Sequence, residues 1–349
     1  ALNHIHSEYQ FKQELTHFKI GANFRQYRPD SKGSIFMDTS STITNNEFGF
    51  YAGAEIKFLG EFLKLNTTLR ADKNENFDLN FSPAASIVYK PNKQDVIRFS
   101  FGSALRNPTL SDQYLYYNVG RAILIGNLNG HGTNYGENLV SIESLLAYYT
   151  PAFPNKDSLQ FFNVDPIKPE KVQSIELGYR STFANKIYLD ANIYYSQYTD
   201  FIGYKIGAKF QTVIDDPLTG GYEIALPSIQ AYRIAANAEN KVTTKGASIG
   251  VNYYPNGNLS LNGNYSWNSL NQKGTNDPII PAYNTPEHKF NLGCLMKNIH
   301  FSREQSLLRD YSFSINYKWV DGYKYEGSPQ FTGLIPSYDL LDLQISKEI

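Results

Sequence analysis

Cysteine is almost absent: Cys294 stands alone in 349 residues, so no internal disulfide can staple the chain. Methionine and tryptophan are scarce as well, with two of each. No run of about 18 apolar residues occurs, which excludes a membrane-spanning helix but not a β-barrel, whose strands alternate. The mean hydropathy of -0.42 is uninformative for the same reason. Charge is sparse and balanced, at 19% of residues with a net charge of -1, so no basic field points to nucleic acid and no such partner is expected. Residues 1–6 lack both the basic start and the apolar core of a secretion signal, and the chain is read as mature or as a fragment.

What is abundant is the aromatic ring: 27 Tyr and 22 Phe. Aromatic girdles at two membrane interfaces would use such a supply, and so would a Tyr-rich soluble β-protein. The pattern that organises the chain is a hairpin at 171–203. Odd positions Ile187, Leu189, Ala191, Ile193 and Tyr195 are apolar or aromatic, and even positions Tyr188, Asp190, Asn192, Tyr194 and Ser196 are mostly polar. Successive strand side chains point to opposite faces, so one face is apolar and one is wet. Ile175, Leu177 and Tyr179 repeat the pattern before Ala184-Asn185-Lys186, a tight turn.

The alternation recurs along the chain, for example in Phe48 to Ile56, Ile97 to Phe101, Leu259 to Trp267 and Phe313 to Trp319. The connections fall into two classes that alternate. Short ones lie at 59–62, 90–95, 184–186 and 255–258, with a somewhat longer one at 298–310. Longer ones lie at 28–45, 106–169, 204–229, 270–286 and 327–336, and 72–80 is of modest length. An up-and-down barrel with short turns on one side and long loops on the other predicts this arrangement. About twelve antiparallel strands result, with part of another at 8–11. The stretch 232–254 reads as the longest strand. One short helix is expected inside 106–169, where Ile142, Leu145, Leu146 and Tyr149 fall at helical spacing and Thr150-Pro151 ends it.

At Arg106-Asn107-Pro108-Thr109, Gly126-Asn127 and Pro169-Glu170-Lys171-Val172-Gln173-Ser174-Ile175-Glu176-Leu177-Gly178, the sequence resembles the TonB-dependent receptors of Gram-negative outer membranes. Tyr194-Tyr195, Tyr198-Thr199-Asp200, and Asn237 leading to Lys245-Gly246-Ala247 continue the match in order. The resemblance implies an all-β fold: a transmembrane antiparallel up-and-down β-barrel, partial, with about 12–13 strands of a barrel of about 22. It further implies a single barrel domain over 1–349, a fragment without the plug domain and the last strands. The expected partners are outer-membrane lipid, the plug domain of the same receptor, the TonB energy-coupling complex and a surface lipoprotein. The expected location is the outer membrane. The expected function is energy-coupled uptake of a scarce ligand such as a siderophore, cofactor, glycan or peptide. A passive porin-like channel and a soluble all-β binding protein are the rival readings.

Chemistry is hard to find. The six His (His4, His6, His17, His131, His288, His300) show no metal-ligand spacing, no cofactor motif is present, and neither a metal, a cofactor nor an enzymatic activity is expected. Cys294 alternates with Leu292 and Met296 on an apolar face and reads as a lipid-facing small residue rather than a nucleophile. The glycine-rich stretch at 126–132 matches no phosphate loop and reads as a flexible loop tip. Arg25, Arg70, Arg98 and Arg180 share the polar face with Glu55, Asp72, Glu176 and Asp190. Mutual ion pairing or plug contacts fit them better than a substrate track. Ligand capture is expected in loop 106–169, too long to be a structureless connection. Its candidate residues are Tyr114, Tyr116, Tyr117, Phe161 and Phe162 as stacking surfaces, with Asp112 and Arg121 as polar anchors. Tyr135, Tyr148 and Tyr149 belong to the same aromatic set, which serves either a ligand or the packing of the loop on itself.

Overall fold

The computed structural model describes residues 1–150, 156–216, 221–271, 284–301, 309–328 and 331–348. The expected helix stop at Pro151, most of the connection at 270–286 and the middle of that at 298–310 lie outside them.

Thirteen antiparallel strands form one sheet in chain order. They are β1 (Leu2–Lys12), β2 (Thr16–Tyr27), β3 (Asn45–Phe58), β4 (Leu63–Asn74), β5 (Asn80–Tyr89), β6 (Val96–Arg106) and β7 (Glu170–Phe183). Then follow β8 (Ile187–Thr199), β9 (Val242–Asn256), β10 (Leu259–Asn271), β11 (His288–Ile299), β12 (Tyr311–Val320) and β13 (Tyr338–Lys347). Among the described residues β1 and β13 each pair on one side only. The expected part-strand at 8–11 is a full strand of 11 residues. The single strand expected at 232–254 is two strands in different sheets, Gln230–Asn237 and Val242–Asn256. Both halves alternate, so periodicity alone cannot show that the chain changes sheet between them.

The turns follow from local chemistry. Ala184 and Asn185 both take positive φ, 49° and 54°, and Lys186 N–H donates to the Phe183 carbonyl at 2.9 Å. Such a turn twists with the strands it joins and keeps the hairpin tight. Its register carries Leu177 opposite Ile193 and Ile175 opposite Tyr195, and on the other side Leu177 opposite Phe99 and Ile175 opposite Phe101. These side chains form continuous apolar rows, all of them on one face of the wall, and Ile175, Leu177, Ile193, Tyr195 and Phe99 are exposed.

The opposite face is a polar network. Arg70 reaches Asp72 at 2.6 Å and Asn23 at 2.8 Å, while Asp190 bridges Arg98 at 2.8 Å and Arg180 at 3.1 Å. Glu55 pairs with Lys64 at 2.9 Å, and Glu176 accepts from Asn192 at 3.2 Å. The ion pairing expected on this face is therefore present. The Arg70 guanidinium lies flat across Gly49, where an added Cβ would come within 2.4 Å of its Nη2.

Nearly all the buried apolar side chains lie elsewhere, in the long loops at one end of the wall. There a second sheet of five strands runs in the order Leu139–Val140, Ile202–Lys209, Gln230–Asn237, Ile123–Ile125, Tyr116–Asn118. Three clusters pack on it. Ile123, Leu139, Val164 and Ile234 form one, Val140, Leu145, Tyr148 and Phe210 a second, and Phe77, Ile167, Ile202 and Ala235 a third. This cap is a folded unit with its own core. The expected helix is present as α2 (Ile142–Tyr149), N-capped by Ser141, whose hydroxyl accepts from Ser144 N–H at 3.1 Å. Its buried face is Ser144, Leu145 and Tyr148, whereas Leu146 is 66% exposed. A second, shorter helix, α1 (Leu110–Tyr114), precedes it.

Candidate ligand-binding cleft in the cap

The cap is tied to the wall by the residues that carried the resemblance. Arg106 pairs with Glu170 at 2.5 Å, and the same carboxylate accepts the Ile202 N–H at 3.0 Å. Asn107 donates to Glu47 at 2.8 Å. Asn237 donates to the carbonyls of Lys168 and Asp200 and accepts the Lys168 N–H, so one side chain clasps the bases of both long loops. Asn45, Asn74, Asn76 and Gln113 form an amide cluster at the rim, with Gln113 in turn donating to the Pro108 carbonyl at 2.6 Å.

The stretch at 126–132 is not a loose tip. Asn127 is 1% exposed; its amide donates to the carbonyls of Asp165 and Ala235 at 2.7 and 2.9 Å, and its oxygen accepts the Gly130 N–H at 2.9 Å. A Cβ at Gly126 would lie 2.4 Å from the Gln113 backbone, so the glycine permits a close crossing of two chain segments. Composition suggested mobility; buried hydrogen bonding gives the opposite.

Above this crossing lies a cleft of about 710 Å³ between loop 28–44 and the two loops of the cap. Tyr114, Tyr116 and Tyr232 give it aromatic walls, and Ser41, Thr42, Thr44 and Gln113 supply neutral polar groups. Its charged corner is a triad. Lys209 donates to Glu137 at 2.8 Å, His131 Nδ1 lies 3.0 Å from the other Glu137 oxygen, and Lys209 Nζ stands 4.6 Å above the Tyr232 ring. Burial works to raise the Glu137 carboxyl, but the Lys209 hydrogen bond and the charges of His131 and Lys209 outweigh it and hold the group below its ordinary value. Burial first, then the charges of Tyr116 and Glu137, raises the Tyr232 hydroxyl. The triad leaves the cleft with little free charge and a surface of rings, hydroxyls and amides.

Of the seven residues expected from sequence, Tyr114 and Tyr116 line this cleft. Asp112 is buried in the α1 capping box, accepting from Thr109 N–H at 2.9 Å and the Thr109 hydroxyl at 2.8 Å, so it anchors the helix. Tyr117 is exposed but outside the cleft, and Arg121 is exposed beside the Gly120 turn. Phe161 and Phe162, adjacent on one strand-like segment, point into two different core clusters, and Tyr148 is 2% exposed in the second of these. These rings pack the loop on itself, the second of the two roles open to them. Glu137, Lys209 and Tyr232 carry no sequence signal, because Lys209 is 78 positions from His131 and meets it through the sheet.

Comparison with known proteins follows the same outline. The family model for the β-barrel of TonB-dependent receptor-like proteins matches residues 3–349. No curated protein matches the chain in sequence. Among solved structures, the siderophore receptor PirA of Acinetobacter baumannii is similar at a TM-score of 0.62 and 13% identity, over 99% of this chain and 48% of that one. The FrpB iron transporter of Neisseria meningitidis is similar at 0.60 and 13%, over 99% and 48%. The ferric enterobactin receptor PfeA of Pseudomonas aeruginosa is similar at 0.62 and 14%, over 99% and 46%. The chain spans about half the length of these structures, and at such identity they show a common fold. With one family model spanning almost every residue of the wall and the cap, the chain belongs to the TonB-dependent receptor-like β-barrel family.

Proposed function

We propose that this chain forms the larger part of the barrel of an outer-membrane receptor that captures a scarce ligand in the cap cleft and imports it by energy-coupled gating. The observation that carries the reading is the cleft itself, a concave surface with aromatic walls on a cap that has its own core and is clasped to the wall by Arg106–Glu170 and Asn237. A barrel as wide as this wall implies has a lumen that side chains cannot fill. A plug domain of the same receptor then blocks it, and the TonB complex supplies the work that moves the plug. Outer-membrane lipid covers the apolar face, and a surface lipoprotein is a further candidate partner at the cap.

Tyr114, Tyr116 and Tyr232 are assigned the stacking role, and Lys209 with Glu137 holds the floor. Asp112 is assigned a supporting position, capping the helix that presents Tyr114, and Phe161 and Phe162 pack the cap behind the cleft, while Tyr117 and Arg121 are given no contact with the ligand. Proteins of similar fold are described as a siderophore receptor and an iron transporter, and an iron complex is therefore the first ligand to try. The test is uptake of a panel of ferric siderophores, oligosaccharides and peptides by cells carrying the full-length receptor, with and without the proton gradient. Saturable, gradient-dependent uptake that Tyr116→Ala with Tyr232→Ala weakens at least tenfold is the expected result. Uptake that ignores the gradient would establish the porin-like alternative instead.

A further inference from the structure

The apolar rows on the outer face of the wall end abruptly. Moving toward the cap along β6, β7 and β8, the row of Phe101, Ile175 and Tyr195 gives way to Ser103, Gln173 and Gln197, and then to Leu105, Lys171 and Thr199. Lys171 lies four residues beyond Ile175, roughly 14 Å along the strand at about 3.4 Å per residue. With strands tilted by about 40°, that is about 10 Å along the membrane normal, out of the apolar rows and toward the headgroup side.

At this level the wall splays. Pairing of β5 with β6 runs from Tyr89–Ile97 to Ala84–Gly102 and stops there, at Pro83, which has no amide hydrogen to offer. Above the break β5 stays with β4, while β6 stays with β7. The wedge between them is a groove of about 570 Å³, with Leu79 and Phe81 on one side, Ser103 and Leu105 on the other, and Lys171 and Lys241 beside it. No acidic side chain lines it. Lys245, opposite Tyr195 on β9 and so level with the apolar row, does not line the wedge and lies 5.6 Å from the Trp267 ring. Among the described residues neither Lys171 nor Lys241 is paired with a carboxylate.

We infer that this wedge is a binding site for a phosphate-bearing anionic lipid of the outer leaflet. Two unpaired ammonium groups, Lys171 and Lys241, face the headgroup layer, where charge would otherwise be left without a counter-ion. The unzipped edges of β5 and β6 present backbone donors and acceptors at a depth where water thins out, and a phosphate and its ester groups satisfy them. Below the wedge Phe99, Phe101 and Ile175 continue the apolar surface, so acyl chains lie directly beneath the headgroup. A free phosphate ion would meet only the upper half of this site.

The inference rests on the membrane-spanning reading proposed above. Native mass spectrometry of the full-length receptor in neutral detergent tests it, with dioleoyl phosphatidic acid, dioleoyl phosphatidylcholine and inorganic phosphate as probes. Phosphatidic acid is expected to be retained over phosphatidylcholine. Each Lys→Gln change at 171 or 241 weakens retention about fivefold and the double change about twenty-fivefold, while the double Lys→Arg variant keeps it. Lys297→Gln at the opposite rim leaves it unchanged. Equal retention by wild type and the folded double Gln variant, equal retention of the two lipids, or displacement by equimolar inorganic phosphate would each overturn the site. A receptor that stays dispersed with no detergent at all would overturn the membrane reading along with it.

Discussion

The wall and the cap are built from one chain under opposite rules. In the wall, Phe99, Ile175, Leu177 and Ile193 lie on the exposed face and Arg70, Arg98, Glu176 and Asp190 on the inner one, and the ordering force is the hydrogen-bonded ladder itself. In the cap, Leu139, Ile234 and Tyr148 are buried and the polar groups face out, as in any soluble domain. On the outer-membrane reading proposed above, the difference is one of solvent. A face that will meet lipid needs no partner from the chain, so the wall carries apolar area without a core. Loops that meet water must bury theirs, and the two long loops on either side of β7 and β8 do so against each other.

The sharpest way to break the comparison is to damage one region and read both. Ile234→Ala, at a position with no exposure, is expected to cost the cap about 2–5 kcal/mol. Protease cleavage within 116–164 should rise steeply, with the wall still inserted and resistant. Loss of insertion would show that cap and wall fold as one. In the wall, Ile193→Arg near the midplane is expected to cost about 2–4 kcal/mol when the full-length protein is refolded into liposomes, against little for Asn192→Arg on the inner face. Equal tolerance at the two positions would remove the lipid-facing assignment.

A smaller effect separates ordered from mobile loop. Asn127→Ala leaves two carbonyls and one N–H without their partner in a buried crossing, and a loss of about 1–3 kcal/mol in cap stability is expected, measured by hydrogen exchange at 126–132. The smallest effect is on pH. The Glu137 carboxyl is held low, so its contribution to cap stability is present above the unfolded value of about 4.3 and fades as pH falls through the lower folded value. Exchange at 131–140 should therefore accelerate below about pH 4 and stay flat from pH 5 to 8 on this account. Glu137→Gln should abolish that acid step.

The wall was legible in the sequence because period-two alternation is local: each strand carries its own evidence, and short and long connections alternate as an up-and-down sheet requires. The cap was not, because its core joins Ile123, Leu139, Val164 and Ile234 from segments that no window spans. The helix shows the limit at short range. Ile142, Leu145, Leu146 and Tyr149 form a plausible stripe, yet in two turns the stripe of Ser144, Leu145 and Tyr148 is equally plausible, and only the neighbouring Phe210 and Val140 select it. Phe161 and Phe162 were attractive as paired rings, but adjacent residues on a strand face opposite ways and cannot serve one ligand together. The cleft's Lys209–Glu137–His131 corner depends on pairings across 72 and 78 positions, which alternation does not encode.

One pairing in the cap sets an order of events. Ile123–Ile125 runs parallel to Tyr232–Ile234, not antiparallel like every other pair in its sheet. Parallel strands cannot be joined by a tight turn, and here the partners are 109 positions apart, from 123 to 232. Closing so long a loop early would cost entropy with nothing to repay it. Once β6, β7, β8 and β9 have zipped, however, the ends of both loops are already side by side and the search shrinks to a few residues. The wall is thus the template on which the cap assembles, and the ligand cleft is the last part of the molecule to come into existence.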